Sequence, residues 1–282
     1  MSAKRDVTGV VVTGASSGIG EAAALRLAEA GFIVFAGFRS ETDGQRMAAL
    51  HSNIRPARLD VTDRESVEAA SSKVLASGVN LRGLVNNAGI AVGGPVEFLP
   101  IDQWRRLFDV NVFGAVMTTQ AFLPQLRAHG GRIIFIGSVS GRLAAPFLAP
   151  YSASKFALRA ITDALRIEVA PAGVFVSIIE PGSVRTPIWN KGLQSQQQLV
   201  QLLGPQGVAL YGDALENLLH ATELQERVGM HVDRVTQVIV HALTARRPKT
   251  HYLVGSRLAS AASHLPATIR DRHVFGLKRR AK

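Results

Sequence analysis

The stretch from Thr8 to Gly37 constrains this chain more than any other. It opens with an apolar run, Gly9-Val10-Val11-Val12, that reads as a buried strand. The turn Thr13-Gly14-Ala15-Ser16-Ser17-Gly18-Ile19-Gly20 follows, then a helical pattern from Glu21 to Ala30 that stops at Gly31. Phe32 to Gly37 reads as a second strand. Strand, glycine turn, helix and strand in this order make one βαβ unit. The glycines let the backbone turn tightly and approach a phosphate, and the helix N-terminus behind them offers free N–H groups and a positive dipole end. Their spacing is G-x-x-x-G-x-G, which differs from the usual G-x-G-x-x-G dinucleotide fingerprint.

The alternation continues downstream. Strands are predicted over Arg55–Leu59, Arg82–Asn86, Arg132–Gly137 and Val174–Glu180, with helical patterns over Val61–Ala76, Ile101–Ala128 and Ala149–Ala170. Six strands alternating with helices, most of them continuous apolar runs, imply an α/β fold: a doubly wound parallel sheet with helices on both faces. His251–Val254 reads as a last edge strand, for about seven in all. Between them, Thr186 to Gly212 is rich in glutamine, glycine and proline and reads as a mobile segment with short helical pieces; Asp213–Val228 and His231–Ala245 read as helices. No repeat or linker divides residues 1–282, so one domain is expected, with a lid region over 186–230 and a basic C-terminal tail over 256–282.

Composition narrows the function classes. There is no cysteine, which excludes disulfides, thiolate metal sites and a cysteine nucleophile, and suits a cytoplasmic protein. Hydrophobic residues make up 47%, enough for a sizeable core, yet no run reaches the ~18 apolar residues of a spanning helix. The formal charge is +11, and residues 256–282 alone carry +6 of it. The remainder is unremarkable for a protein that handles phosphates, and no nucleic-acid partner is expected. The histidines at 220, 231 and 241 lack the short paired spacing of a zinc site, so no metal is expected.

Chemistry concentrates at Tyr151-Ser152-Ala153-Ser154-Lys155. A tyrosine and a lysine four apart share one helix face. A phenol ordinarily titrates near 10. An adjacent ammonium lowers that value, and such a phenol can exchange a proton with an alcohol oxygen. In doubly wound sheets, ligands lie beyond the carboxyl ends of the strands. Those ends here carry Gly14 to Gly20, Phe38-Arg39-Ser40, Asp60-Val61, Asn86-Asn87-Ala88-Gly89, Gly137-Ser138 and Pro181 to Thr186, all polar, small or glycine-bearing.

With these pieces in place the chain resembles the short-chain dehydrogenases/reductases. The resemblance rests on T-G-A-S-S-G-I-G at 13–20, L-D-V at 59–61, N-N-A-G at 86–89, D-V-N-V around Asn111, Ser138, Y-S-A-S-K at 151–155 and P-G-S-V-R-T at 181–186. It implies Tyr151 as general acid/base and Lys155 as its electrostatic partner and a ligand of the nicotinamide ribose. It implies that Ser138 holds the substrate oxygen and that Asn111 positions a relay water. It also implies a dinucleotide held by Gly14, Ser16, Ser17, Gly18, Ile19, Gly20, Asp60, Val61, Asn87, Ala88, Gly89, Pro181, Gly182, Val184 and Thr186.

Phe38 stands where relatives using NAD often have an aspartate, and Arg39 follows, which favours NADP over NAD because a guanidinium pairs well with phosphate. Stacking on adenine or a solvent-facing Arg39 is the alternative. Ser17 stands where many NADP-using relatives carry a basic residue. The apolar segment Gly141–Pro150 and Pro248–Gly255 resemble the branch that handles steroids, retinoids and other lipophilic alcohols. Leu143, Phe147 and Leu148 are candidate pocket residues, and Trp189 with Leu193, Leu199, Leu202, Leu203 and Leu210 a candidate lid; core or subunit packing is the alternative for the leucines. The family implies a homodimer or homotetramer through the helices at 101–128 and 149–170. Two further readings stand beside the oxidoreductase: a non-catalytic NADP sensor, and a membrane-surface binder that uses the basic tail in peripheral contact with anionic lipid.

Overall fold

A computed structural model describes residues 8–188, 196–255 and 261–273. Seven strands form one parallel sheet in the order β3-β2-β1-β4-β5-β6-β7. They are β1 (Thr8–Val12), β2 (Ile33–Phe38), β3 (Ile54–Arg58), β4 (Asn80–Asn86), β5 (Arg132–Ile136), β6 (Phe175–Pro181) and β7 (His251–Val254). Side chains alternate along each strand, and both faces are covered. In β1, Val10 and Val12 pack in one apolar cluster and Val11 in the other; in β5, Ile134 and Ile136 face one way, Ile133 and Phe135 the other. On the first face lie α1 (Gly18–Glu29), which packs against α8 (Asp233–Thr244), and Met47 of α2 (Glu41–Leu50). On the second lie α3 (Arg64–Ala76), α5 (Gly114–Ala128) and α6 (Ala149–Val169).

Several element bounds differ from the sequence pattern. Helix α2 has no counterpart in it: of ten residues only Gly44 and Met47 are buried, so there is no apolar stripe to read. Helix α3 starts at Arg64 rather than Val61, because the Asp63 side chain accepts from the Glu65 N–H and caps it. The single helix expected over 101–128 is three pieces: α4 (Ile101–Phe108), a π-turn at Asp109–Phe113 and α5. The wide turn carries Asn111, whose amide is committed elsewhere.

The segment read as mobile is largely helical. Helix α7 spans Gln196–Val228, interrupted at Gly204 (φ 60, ψ −179). Pro205 then stands in the first turn of a second helical piece, where its missing N–H has no partner to lose. Trp189 and Leu193 lie outside the described residues. Of the other lid leucines, Leu203 is buried while Leu210 faces solvent. A last short helix, α9, spans Ala267–His273; residues 256–260 and 274–282 of the basic tail lie outside the described residues. Among the described residues no helix is long and apolar enough to cross a membrane.

The strand order reverses direction between β1 and β4, which leaves a crevice above their carboxyl ends. Phe135, fully buried in β5, holds the second face together just below it. Phe135→Ala is expected to lower stability by about 3–5 kcal/mol in urea denaturation; a loss well under 1 kcal/mol would contradict this packing.

Candidate active site

The crevice encloses a cavity of about 470 Å³. Its floor is the glycine turn. Gly18 begins α1 with φ +58, a conformation that favours glycine, and Ser17 before it makes no side-chain cap. The first N–H groups of α1 are therefore not capped by the Ser17 side chain. Gly20 lies two residues on, where a Cβ would sit 2.3 Å from the Gly14 carbonyl oxygen and 2.4 Å from Asn87 Nδ2. No other residue fits there. The result is a backbone cradle at a helix N-terminus, a shape and charge suited to a pyrophosphate.

Thr13 and Asn87 lock the cradle to β4. The Thr13 hydroxyl accepts from the N–H groups of Asn87 and Ala88, both at 2.9 Å. Asn87 Nδ2 donates to the carbonyls of Thr13 (2.9 Å) and Gly14 (3.1 Å). The Asn87 side chain, a candidate ligand in the sequence, is thus spent on its own scaffold. Thr13 was absent from the sequence candidates, and its burial is what marks it.

The candidate residues converge. Gly14, Ser16, Ser17, Gly18, Ile19, Arg39, Asp60, Val61, Asn87, Ala88, Gly89, Pro181, Gly182, Val184 and Thr186 all line the cavity, as do Ser138, Tyr151 and Lys155. Gly20 lies beneath the lining. The loop after β6 reaches across to the floor: a Cβ on Gly18 would lie 3.3 Å from Thr186. Asp60 holds Thr62, its Oδ1 accepting from the Thr62 N–H at 3.0 Å and hydroxyl at 2.8 Å. Arg39 is exposed at the end of β2 and, among the described residues, has no ion pair. Phe38 is buried against Gly44. Arg106, Val110 and Ile90 also line the cavity, and sequence reasoning missed them because α4 and the loop after β4 meet the crevice only through the fold.

Asn111 is buried behind the lining rather than in it. Its Nδ2 donates to the Ile90 carbonyl (2.9 Å) and to Ser154 Oγ (3.1 Å), and its Oδ1 accepts from the Ile90 N–H (2.8 Å). It clamps the loop after Gly89 to α6. A Cβ on Gly89 would touch both Asn111 Oδ1, at 3.3 Å, and Lys155 Nζ, at 3.8 Å, so the amide and the ammonium flank the same spot.

Of the pocket candidates, Leu143 and Leu148 line the cavity beside Ala145 and Ile188, whereas Phe147 does not. Phe147 adopts φ +63, with its carbonyl accepting from the Gly94 N–H at 2.7 Å, and this turns its ring outward onto Tyr211 of α7, centroid to centroid 6.1 Å.

The electrostatics differ from the sequence expectation. Tyr151 is buried and hydrogen-bonded to Ser138; burial pushes its phenol up, and the Ser138 bond pulls it partly back. Lys155 Nζ donates to the Ile136 carbonyl at 2.9 Å and lies 5.6 Å from the centre of the Tyr151 ring. Burial brings Lys155 down to about 8. The expected acidification of the phenol by the ammonium is not seen: both groups are withdrawn from water, and desolvation disfavours the charged form of each.

The model of the short chain dehydrogenase family matches residues 8–197. Among curated relatives, a 3-amino-tetrahydro-pyrrolizinone reductase of Xenorhabdus hominickii is 39% identical over 253 residues, covering 87% of this chain and 86% of that one. Human retinol dehydrogenase 5 is 39% identical over 280 residues, covering 93% and 86%. A solved short chain dehydrogenase from Burkholderia cenocepacia in complex with NADP superposes with a TM-score of 0.71 at 26% identity, over 97% of this chain and 98% of that one.

The buried lysine has a measurable consequence. Its folded pKa, about 8, lies below its ordinary 10.5, so the unfolded chain binds more protons between these values and stability rises with pH there. Tyr151 works in the opposite sense only above its ordinary 10.0. Between pH 8 and 10, wild-type stability in urea melts is expected to rise, by up to about 1.4 kcal/mol per pH unit, relative to Lys155→Met. Parallel curves for the two proteins would contradict the burial of the ammonium.

Proposed function

Since this chain belongs to the short chain dehydrogenase family, we propose that it is an oxidoreductase moving a hydride between NADP(H) and a lipophilic alcohol or ketone. The observation that carries this reading is the meeting of Ser138, Tyr151 and Lys155 in the cavity whose floor is the glycine cradle. The nicotinamide supplies or accepts the hydride at the substrate carbon. Tyr151 exchanges the proton at the substrate oxygen. Because burial keeps its phenol protonated at neutral pH, it is poised as the acid for ketone reduction. Ser138 hydrogen-bonds the same oxygen and orients Tyr151. Lys155 holds the ribose side, and Asn111, its amide spent on Ile90 and Ser154, braces the loop beside the ammonium.

For the cofactor, the cradle accepts a pyrophosphate, and Arg39 at the adenosine end supports NADP over NAD: a guanidinium free of carboxylates attracts a 2′-phosphate. Solved relatives are in complex with NADP, NADH or NAD, so the choice between them rests on Arg39. Asp60 and Val61 would face the adenine, and Thr186 the carboxamide. The two curated relatives are equally similar yet are named for unlike molecules, so the substrate class must be read from the lining. That lining is apolar near Tyr151: Val139, Leu143, Ala145, Leu148 and Ile188. A steroid, retinoid or long-chain carbonyl fits it, under a lid drawn from 186–230 of the same single domain.

Self-association into a dimer or tetramer is supported by Phe113, Phe156 and Ile167, large apolar side chains exposed at the start of α5 and along α6. A peripheral contact with anionic membrane is supported by Leu265 and Ile269, exposed beside Arg270 and Arg272. The absence of cysteine supports cytoplasmic residence.

The test is NADPH oxidation followed by absorbance with a panel of steroid, retinoid and aliphatic ketones. Tyr151→Phe is expected to lower kcat by about 10²–10⁴-fold; undiminished turnover would remove Tyr151 from the mechanism. Arg39→Ala is expected to raise KM for NADPH roughly tenfold or more while leaving NADH unchanged. Equal effects on both nucleotides would reassign Arg39 to adenine stacking.

A further inference from the structure

Behind the proposed site a buried carboxylate sits in a cluster of charged groups that the reaction itself does not use. Glu180, in β6, is 1% exposed. Its Oε2 pairs with Arg142 Nη2 and lies 3.5 Å from His251 Nδ1; its Oε1 lies 3.9 Å from Arg159 Nη1 and has no hydrogen bond. His251 Nε2 in turn meets Asp163 Oδ1 at 2.9 Å. Two guanidinium groups and two carboxylates thus meet around the His251 imidazole. Burying a carboxylate this deeply is costly and needs its partners, so its place in the fold bears on what it does.

That place is beside two parts of the site. Glu180 directly precedes Pro181 and Gly182, which line the cavity. Arg142 ends the tight turn that starts at Ser138. Within that turn Ser138 Oγ accepts from the Ser140 N–H (3.1 Å), and the N–H groups of Gly141 and Arg142 donate to the carbonyls of Ser138 and Val139 (2.9 Å each). The turn is pressed onto α6: a Cβ on Gly141 would lie 2.8 Å from the Lys155 carbonyl oxygen. Gly137 leaves room for Glu180, whose Cγ would lie 3.3 Å from a Cβ there. The Ser138 turn is thus fixed on one side by the backbone of Lys155 and on the other by an ion pair to the sheet.

We propose that Glu180 and Arg142 are a positioning pair, in which the carboxylate anchored in β6 holds the guanidinium that sets where the Ser138 hydroxyl meets Tyr151. Neither residue lines the cavity. It acts through Ser138, and the proposal rests on the oxidoreductase reading for its effect on rate, though not for its effect on Tyr151.

The experiment uses the full chain with Glu180→Gln, Arg142→Met and Arg142→Lys. Two quantities are read: steady-state kinetics, and the ultraviolet titration of Tyr151, isolated by subtracting the matching Tyr151→Phe protein. Glu180→Gln and Arg142→Met are expected to lower kcat roughly ten- to a hundredfold, as small misplacements of a reacting group do, with KM for NADPH changed by no more than about twofold. Both should move the Tyr151 titration further upward, since the Ser138 bond that restrains it is loosened while Lys155 stays in place. Arg142→Lys, which keeps the charge, should recover part of both. Folded variants with a lower Tm but an unmoved Tyr151 titration would overturn the proposal and leave the pair a purely structural one. If Glu180→Gln does not fold, the two Arg142 variants decide. If the wild type reduces no ketone in the panel, the reaction proposal fails, and the titration alone upholds or overturns the positioning pair.

Discussion

The hydrogen bonds of Thr13 and Asn87 are the interaction on which the site depends. β1 and β4 are paired central strands, but the chain leaves their carboxyl ends toward opposite sides of the sheet. Without a tie, the glycine turn after β1 and the Asn-Asn-Ala-Gly loop after β4 would be two independent loops. One hydroxyl accepting from two N–H groups and one amide donating to two carbonyls make them a single rigid edge. The Thr13 hydroxyl is buried, and both it and the Asn87 amide nitrogen find backbone partners, which is the condition under which polar groups stabilise an interior. Gly20 completes the arrangement by occupying space in which any Cβ would collide with the Gly14 carbonyl and the Asn87 amide.

The same logic governs the charged groups. Lys155 and Glu180 are almost fully withdrawn from water. Each is held by fixed partners: Lys155 by the Ile136 carbonyl, Glu180 by the guanidinium of Arg142 and, at longer range, that of Arg159. These two anchors lie on either side of the Ser138 turn. Tyr151 is therefore surrounded by groups that cannot relax far, a preorganised polar environment of the kind that favours proton transfer at a defined atom.

Legibility in the sequence followed the range of the interactions. Strands β1 and β5 were readable because both of their faces are buried, so their composition alone declares them. The helical spacing of Tyr151 and Lys155 was readable because it spans one turn. Helix α2 was not, since two buried residues in ten leave no period to detect. Nor was the break in the helix over 101–128, because the π-turn at Asn111 answers to the Ile90 backbone, a contact between distant parts of the chain. Phe147 illustrates the same limit: its composition suits a pocket wall, but a left-handed backbone turns it away from the cavity to pack on Tyr211.

Local physics in the chain itself determined the parallel α/β sheet, the glycine cradle, the Tyr151–Lys155 helix face and the placing of polar residues at strand ends. Those features arise from periodicity, from missing side chains and from short spacings, and each is written within a few tens of residues. Tertiary structure decided the rest: that Asn87 braces the scaffold, that Asn111 stands behind the lining, that burial raises Tyr151 and lowers Lys155, and that Glu180 reaches Arg142 beneath Ser138. A pKa depends on which groups and how much water surround the side chain, and both are known only once distant segments have packed together.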